Sequence, residues 1–111
     1  MYLLYMNYTI TESRLKQVIF KYLDMQNFNM VEKNNYIYFI ENVGDKYGFL
    51  KYNYDTGSLF ILKVFADKIS NIFGIPIKDL ERIISSWVEK TLGGEYGVYN
   101  VYNTYRFLIL K

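Results

Sequence analysis

The stretch Tyr36–Val64, YIYFIENVGDKYGFLKYNYDTGSLFILKV, decides how this chain folds. Three runs rich in β-branched and aromatic residues, Tyr36–Glu41, Lys46–Tyr54 and Ser58–Val64, are separated by Asn42–Asp45 and Asp55–Gly57. Asn, Asp and Gly suit short turns because they tolerate left-handed backbone and bond to their own main chain. The pattern predicts a three-stranded antiparallel meander.

Side chains alternate across a strand, so each run has two faces. If Lys51 and Lys63 mark the outer face, the inner one holds Tyr36, Tyr38, Ile40, Leu50, Tyr52, Phe60, Leu62 and Val64. The outer face then carries Ile37, Phe39, Tyr47, Phe49, Leu59 and Ile61, which is too apolar for water. Either helices cover both faces or one face meets another chain. Ile37, Phe39, Phe49 and Ile61, with Lys51 among them, form the first candidate partner-binding surface.

The flanking sequence is helical. Leu15, Val18, Ile19, Tyr22 and Leu23 recur at the spacing of one helical face, with Thr11 as N-cap, Glu12 at the positive helix end and Ile10 placed to staple against Leu15. Asn27 and Asn29 mark the exit. Phe65, Ile69, Ile72 and Phe73 predict a helix over Val64–Phe73, ended by Gly74 and Pro76. Leu80, Ile83, Ile84, Trp87, Val88 and Leu92 form a third stripe that stops at Gly93 and Gly94. The segment Glu95–Lys111 is β-prone, with a last strand expected at Phe107–Leu110. The expected fold is α+β: one domain over residues 1–111, a small antiparallel sheet of about four strands packed by two or three helices.

Composition narrows the chemistry. At 111 residues the chain can bury about two thirds of its unfolded surface, and 51% hydrophobic residues with a net charge of +2 place it among globular proteins. Its thirteen basic residues are scattered among eleven acids rather than gathered on one segment. Without Cys or His there is no disulfide, thiolate nucleophile or soft-metal site, and a reducing cytoplasm is expected. Met1–Tyr8 is apolar but lacks a basic lead and a cleavage site, and no apolar run reaches the roughly 20 residues of a membrane span. No membrane partner is expected. Met6 offers an alternative start.

Chemical motifs give little. Asp55, Thr56, Gly57 and Ser58 imitate the Asp-Thr-Gly signature of aspartic proteases. The strands such a loop needs are absent, and the follow-up Ile72, Phe73 and Gly74 comes too soon, so these residues read as a hairpin turn. Asp79 and Glu81 suit the positive end of a helix. No phosphate loop, dinucleotide glycine pattern or zinc spacing is present. The expectation is a non-enzymatic protein with no catalytic residue, cofactor or metal.

Tyr96, Tyr99, Tyr102 and Tyr105 recur every third residue among Asn100, Asn103 and Arg106. That period fits neither strand nor α-helix, so the rings cannot share one face of one element. They form the second candidate surface, able to anchor a protein partner or to stack the bases of a single strand. Ala66 is the only Ala, Pro76 the only Pro, and Arg14, Arg82 and Arg106 the only Arg, a skew that an AT-rich genome produces without functional selection.

The run Thr11–Asp24 after Ile10, then Tyr36–Phe39, Tyr54–Leu59 and Ile83–Leu92, resembles small tailed-phage proteins with an Ile-Thr-Glu-Ser opening helix and a late Trp-Val-Glu helix. The resemblance implies phage origin and no particular activity. The expected function is a small interaction protein acting by contact with a protein partner or as a homo-oligomer. It would be an accessory virion component or an inhibitor of a host or defence protein, in the host cytoplasm or the virion. The alternative is a single-stranded nucleic-acid binder using the Tyr, Lys and Arg surface.

Overall fold

The computed structural model describes residues 12–110; the expected cap Thr11, staple Ile10 and alternative start Met6 lie outside the described residues. Helix α1 (Glu12–Asp24) fully buries Ile19 and Leu23, as its periodicity requires, while Val18 sits exposed at the margin of the stripe. The chain leaves α1 through Asn27 in the left-handed region.

Next comes a strand that the sequence pattern does not announce. β1 (Asn29–Lys33) pairs antiparallel with β2 (Tyr36–Ile40). Asn34 and Asn35 between them both have positive φ, at 54° and 68°, the backbone a tight two-residue hairpin needs. The expected run Lys46–Tyr54 divides into β3 (Tyr47–Gly48) and β4 (Leu50–Asn53). The break is a bulge: Leu50 is the ladder partner of Phe39, yet the Phe49 N–H also donates to the Phe39 carbonyl at 2.9 Å. Two residues thus face one, which bends the strand.

β5 (Ser58–Leu62) runs straight into α2 (Lys63–Phe73), so Lys63 opens a helix rather than ending a strand. Gly74 closes α2 in the left-handed conformation, and Pro76 precedes α3 (Ile77–Thr91), which buries Leu80, Ile83, Ile84, Trp87 and Val88. β6 (Asn100–Thr104) then pairs parallel with β5, and β7 (Leu108–Ile109) pairs antiparallel with β3.

The architecture is α+β, with a five-stranded sheet in the order β1-β2-β4-β5-β6 and a separate β3-β7 pair. The sheet is mixed, where a purely antiparallel one was expected. Its cause is the helical crossover: α2 and α3 return the chain to the end of the sheet where β5 began, so the next strand runs alongside β5.

The register corrects the expected faces. Ile37 lies opposite Tyr52, Phe39 opposite Leu50, and Leu50 and Tyr52 opposite Ile61 and Leu59. Phe39, Leu50, Tyr52, Leu59 and Ile61 share one core with Ile19, Leu23, Phe65, Ile69, Leu80, Ile84, Trp87 and Val88. The three helices therefore cover the face holding Ile37, Phe39, Leu59 and Ile61. The physical reason is polarity. A tyrosine hydroxyl must find a hydrogen-bond partner when buried, so the all-hydrocarbon set of β2 and β5 is the less costly one to enclose. Tyr52, the tyrosine that the sheet contributes to this cluster, satisfies its hydroxyl by donating to the Gly97 carbonyl at 2.7 Å.

Candidate interaction surface

On the sheet face opposite the helices, the strand positions are Asn29, Val31 and Lys33; Tyr36, Tyr38 and Ile40; Lys51 and Asn53; Ser58, Phe60 and Leu62; Asn100, Tyr102 and Thr104. None of them is a carboxylate. Lys51 sits at the centre with its Nζ 4.2 Å from the Tyr36 ring centroid and 5.6 Å from those of Tyr38 and Phe60. Phe60 stacks on Tyr102 at 5.2 Å. Tyr38 and Ile40 are nonetheless buried, at 2% and 1% exposure. Leu62 is buried as well, at 4%, whereas Lys51 and Phe60 are partly accessible and Tyr102 is exposed.

The tyrosine repeat spreads over several environments, as its period demands. Tyr96 packs edge-on against Tyr52 and obliquely against Tyr54. Tyr99 lies over Gly57, where a positive φ of 73° and the nearness of the ring leave no space for a side chain. Tyr102 stacks on Phe60, and Tyr105 has Lys63 Nζ 5.5 Å from its ring centroid. Tyr99 and Tyr105 are 80% and 82% exposed. Arg106 is exposed beside Tyr105.

The chain then continues into a second exposed pair. Phe107 stacks on Tyr47 at 4.7 Å, and Ile109 stands opposite Tyr47 in the β3-β7 ladder. Tyr47, Phe107 and Ile109 are each at least half exposed. The exposed rings thus run from Tyr96 to Phe107 and join Tyr47, a tract of large apolar side chains on one short segment.

The two candidate sets separate. Phe39 and Ile61 are 0% exposed, and Ile37 and Phe49 are half buried and packed against the core, so none of these four forms a docking surface. Lys51, Tyr96, Tyr99, Tyr102, Tyr105 and Arg106 lie outside the core cluster. Sequence reasoning missed Phe60, Phe107 and Ile109 as surface residues, and it placed Tyr47 on the outer face without including it in either candidate set. Their exposure follows from register and from the β3-β7 pairing, which no local pattern encodes.

Two further features belong to the description. A groove of about 620 Å³ lies between α1, α3 and the segment before β6, lined by Lys16, Phe20, Glu89, Lys90, Tyr96 and Tyr99. Lys16 and Lys90 each stand 5.5 Å from the Phe20 ring centroid, and Glu89 accepts the Val98 N–H at 2.8 Å. Asp55, Thr56 and Gly57 form a hairpin turn in which Asn53 Oδ1 accepts the N–H groups of Asp55 and Thr56. Among the described residues, no three His, Cys, Asp or Glu side chains gather into a metal-ligating group, and no helix is long and apolar enough to cross a membrane.

Comparison with protein-family models, curated proteins and solved structures returns no match.

Proposed function

We propose that this is a binding protein without catalytic function, acting by contact with a protein partner through the aromatic tract from Tyr96 to Ile109 and its neighbour Tyr47. The observation that carries the reading is the exposure of Tyr99, Tyr102, Tyr105, Phe107 and Ile109 within eleven residues of chain. Large, rigid rings with a hydrogen-bonding edge are the side chains that anchor protein interfaces, and exposed apolar tracts of this kind mark such sites. With the phage origin that the sequence resemblance implies, the partner is a virion component or a host or defence protein. The test is affinity capture with wild type and with a Tyr105→Ser, Phe107→Ser double variant. A partner retained by wild type and lost by the variant supports the surface; identical retention by both removes it.

A second reading has its own observation: the absence of any carboxylate at the strand positions of the face opposite the helices, with Lys51 among Tyr36, Phe60 and Tyr102. Rings interleaved with cations can stack the bases of a single strand, and such binding weakens steeply with salt. Anisotropy titration of a labelled single-stranded oligonucleotide at low ionic strength separates the two. No association is expected if protein contact is the function; tight, salt-sensitive association that Lys51→Gln weakens favours the nucleic-acid reading.

A further inference from the structure

We propose that two copies of this chain join edge to edge through β6, antiparallel, about a two-fold axis at Tyr102. The inference rests on the backbone of β6 and stands whether or not the ring tract takes another protein.

β6 is one edge of the five-stranded sheet, and no described segment pairs with its outer side. The Asn100 N–H donates to the Gly57 carbonyl at 3.3 Å, and the register continues with Phe60 opposite Tyr102 and Leu62 opposite Thr104. In a parallel ladder only alternate residues turn their N–H and C=O groups toward a given neighbour. Asn100, Tyr102 and Thr104 therefore face β5, and Val101 and Asn103 present their backbone groups to the outer edge.

Free edges invite pairing, and proteins blunt them with charge, proline or bulges. The opposite edge, β1, carries Glu32 and Lys33. β6 reads Asn-Val-Tyr-Asn-Thr, with no charge, no proline and no glycine. It lacks every device that would repel another strand.

The strand is also complementary to itself. With the axis at Tyr102, Val101 faces Asn103 of the second copy, and each such pair exchanges both of its N–H···O=C bonds. All outward backbone groups of β6 are then used, and all five residues overlap. Asn100 meets Thr104, so no like charges oppose one another. Tyr102 meets its own copy in a non-hydrogen-bonded pair, where side chains approach most closely and aromatic pairs stabilise a sheet. Because Tyr102 already stacks on Phe60, the rings continue across the axis from one protomer to the other. An isologous interface requires this self-complementarity, which is why the occupant assigned here is a second copy.

The chain lacks cysteine, which makes the test clean. Tyr102→Cys places two thiols across the axis on Cα atoms about 4.5 Å apart, within the range a disulfide spans. Mild oxidation is expected to give a disulfide dimer from Tyr102→Cys and none from Met30→Cys, on the exposed opposite edge. Sedimentation equilibrium on wild type should show a mass rising with concentration from 13.3 kDa toward twice that value. Tyr102→Lys and Tyr102→Glu should each be monomeric and should dimerise when mixed. A wild type that stays at monomer mass to millimolar concentration, dimerisation unaffected by Tyr102→Lys, or equal cross-linking at Met30 and Tyr102 would overturn the proposal. If the charge variants fail to fold, by circular dichroism, the cysteine pair decides.

Discussion

The indole N–H of Trp87 donates to Asp24 Oδ1 at 2.8 Å, joining the middle of α3 to the last residue of α1 across 63 positions of chain. Phe28 and Phe39 crowd the same indole at 6.0 and 5.6 Å. This one contact fixes how two helices sit over the sheet. A hydrogen bond to a charged group contributes about 1.5–3 kcal/mol. Trp87→Phe should therefore lower stability by about 1.5–3 kcal/mol in urea unfolding, and Trp87→Ala, which also leaves a cavity, by about 3–5 kcal/mol. Asp24→Ala should cost less than Trp87→Ala, since Asp24 is exposed and fills no core volume.

Gly48 and Gly57 are expected to resist substitution for different reasons. A Cβ at Gly48 would stand 2.7 Å from the Phe39 carbonyl oxygen, a backbone atom that cannot move without breaking the β2–β4 ladder. At Gly57 the obstacle is the Tyr99 ring together with a positive φ. Gly57→Ala should be less damaging in a Tyr99→Ala background, with a coupling of about 0.5–3 kcal/mol in a double-mutant cycle. Gly48→Ala should show no such relief.

Alkaline pH should destabilise the fold. Burial pushes the Tyr52 hydroxyl above its usual 10.0, with Tyr99, Glu89 and Tyr96 adding to the shift. The hydrogen bond that Tyr54 donates to Glu32 raises its hydroxyl in the same direction. Both groups are held protonated in the folded chain while the unfolded chain releases its protons, so folding loses stability as pH rises. Their contribution is full below pH 10 and declines as pH climbs from there through the raised values. Denaturant midpoints measured from pH 8 to 11 should fall above pH 10, and Tyr52→Phe should flatten that fall.

Lys51 is predicted to stabilise the sheet through the rings around it. A cation over an aromatic face contributes about 0.5–2 kcal/mol, depending on exposure. Lys51→Met keeps the stem and removes the charge, and should cost about that much in urea unfolding. Lys51→Glu should cost more, because a carboxylate would face the electron-rich rings of Tyr36 and Phe60.

Much of this was legible in the sequence. The helical stripes through Ile19 and Leu23 and through Leu80 to Val88 are set by local periodicity, and the turn at Asp55–Gly57 by local backbone demand. The faces of the sheet were not legible, because each strand's alternation is local while the parity between strands depends on loop length and on the bulge at Phe49. That single unknown turned Phe39 and Ile61 from expected surface into core. β1 escaped notice because Asn-Met-Val-Glu-Lys has no apolar alternation and needs β2 beside it. The tyrosine repeat was rightly excluded from sharing one face of a single element. That its middle holds a strand parallel to β5 depends on a crossover through two helices, which no spacing within Tyr96–Tyr105 records.

Site-specific photo-cross-linking tests the contact surface most directly. The photoreactive residue p-benzoyl-phenylalanine would replace Tyr105 or Phe107 in turn, with Met25, whose exposure lies between theirs but which sits just after α1, as the control position. Irradiation in cell extract is expected to give a discrete, nuclease-resistant protein adduct from the Tyr105 and Phe107 positions and none from Met25. No adduct at either ring position, adducts shared equally with Met25, or adducts abolished by nuclease would contradict a protein-binding role for the aromatic tract.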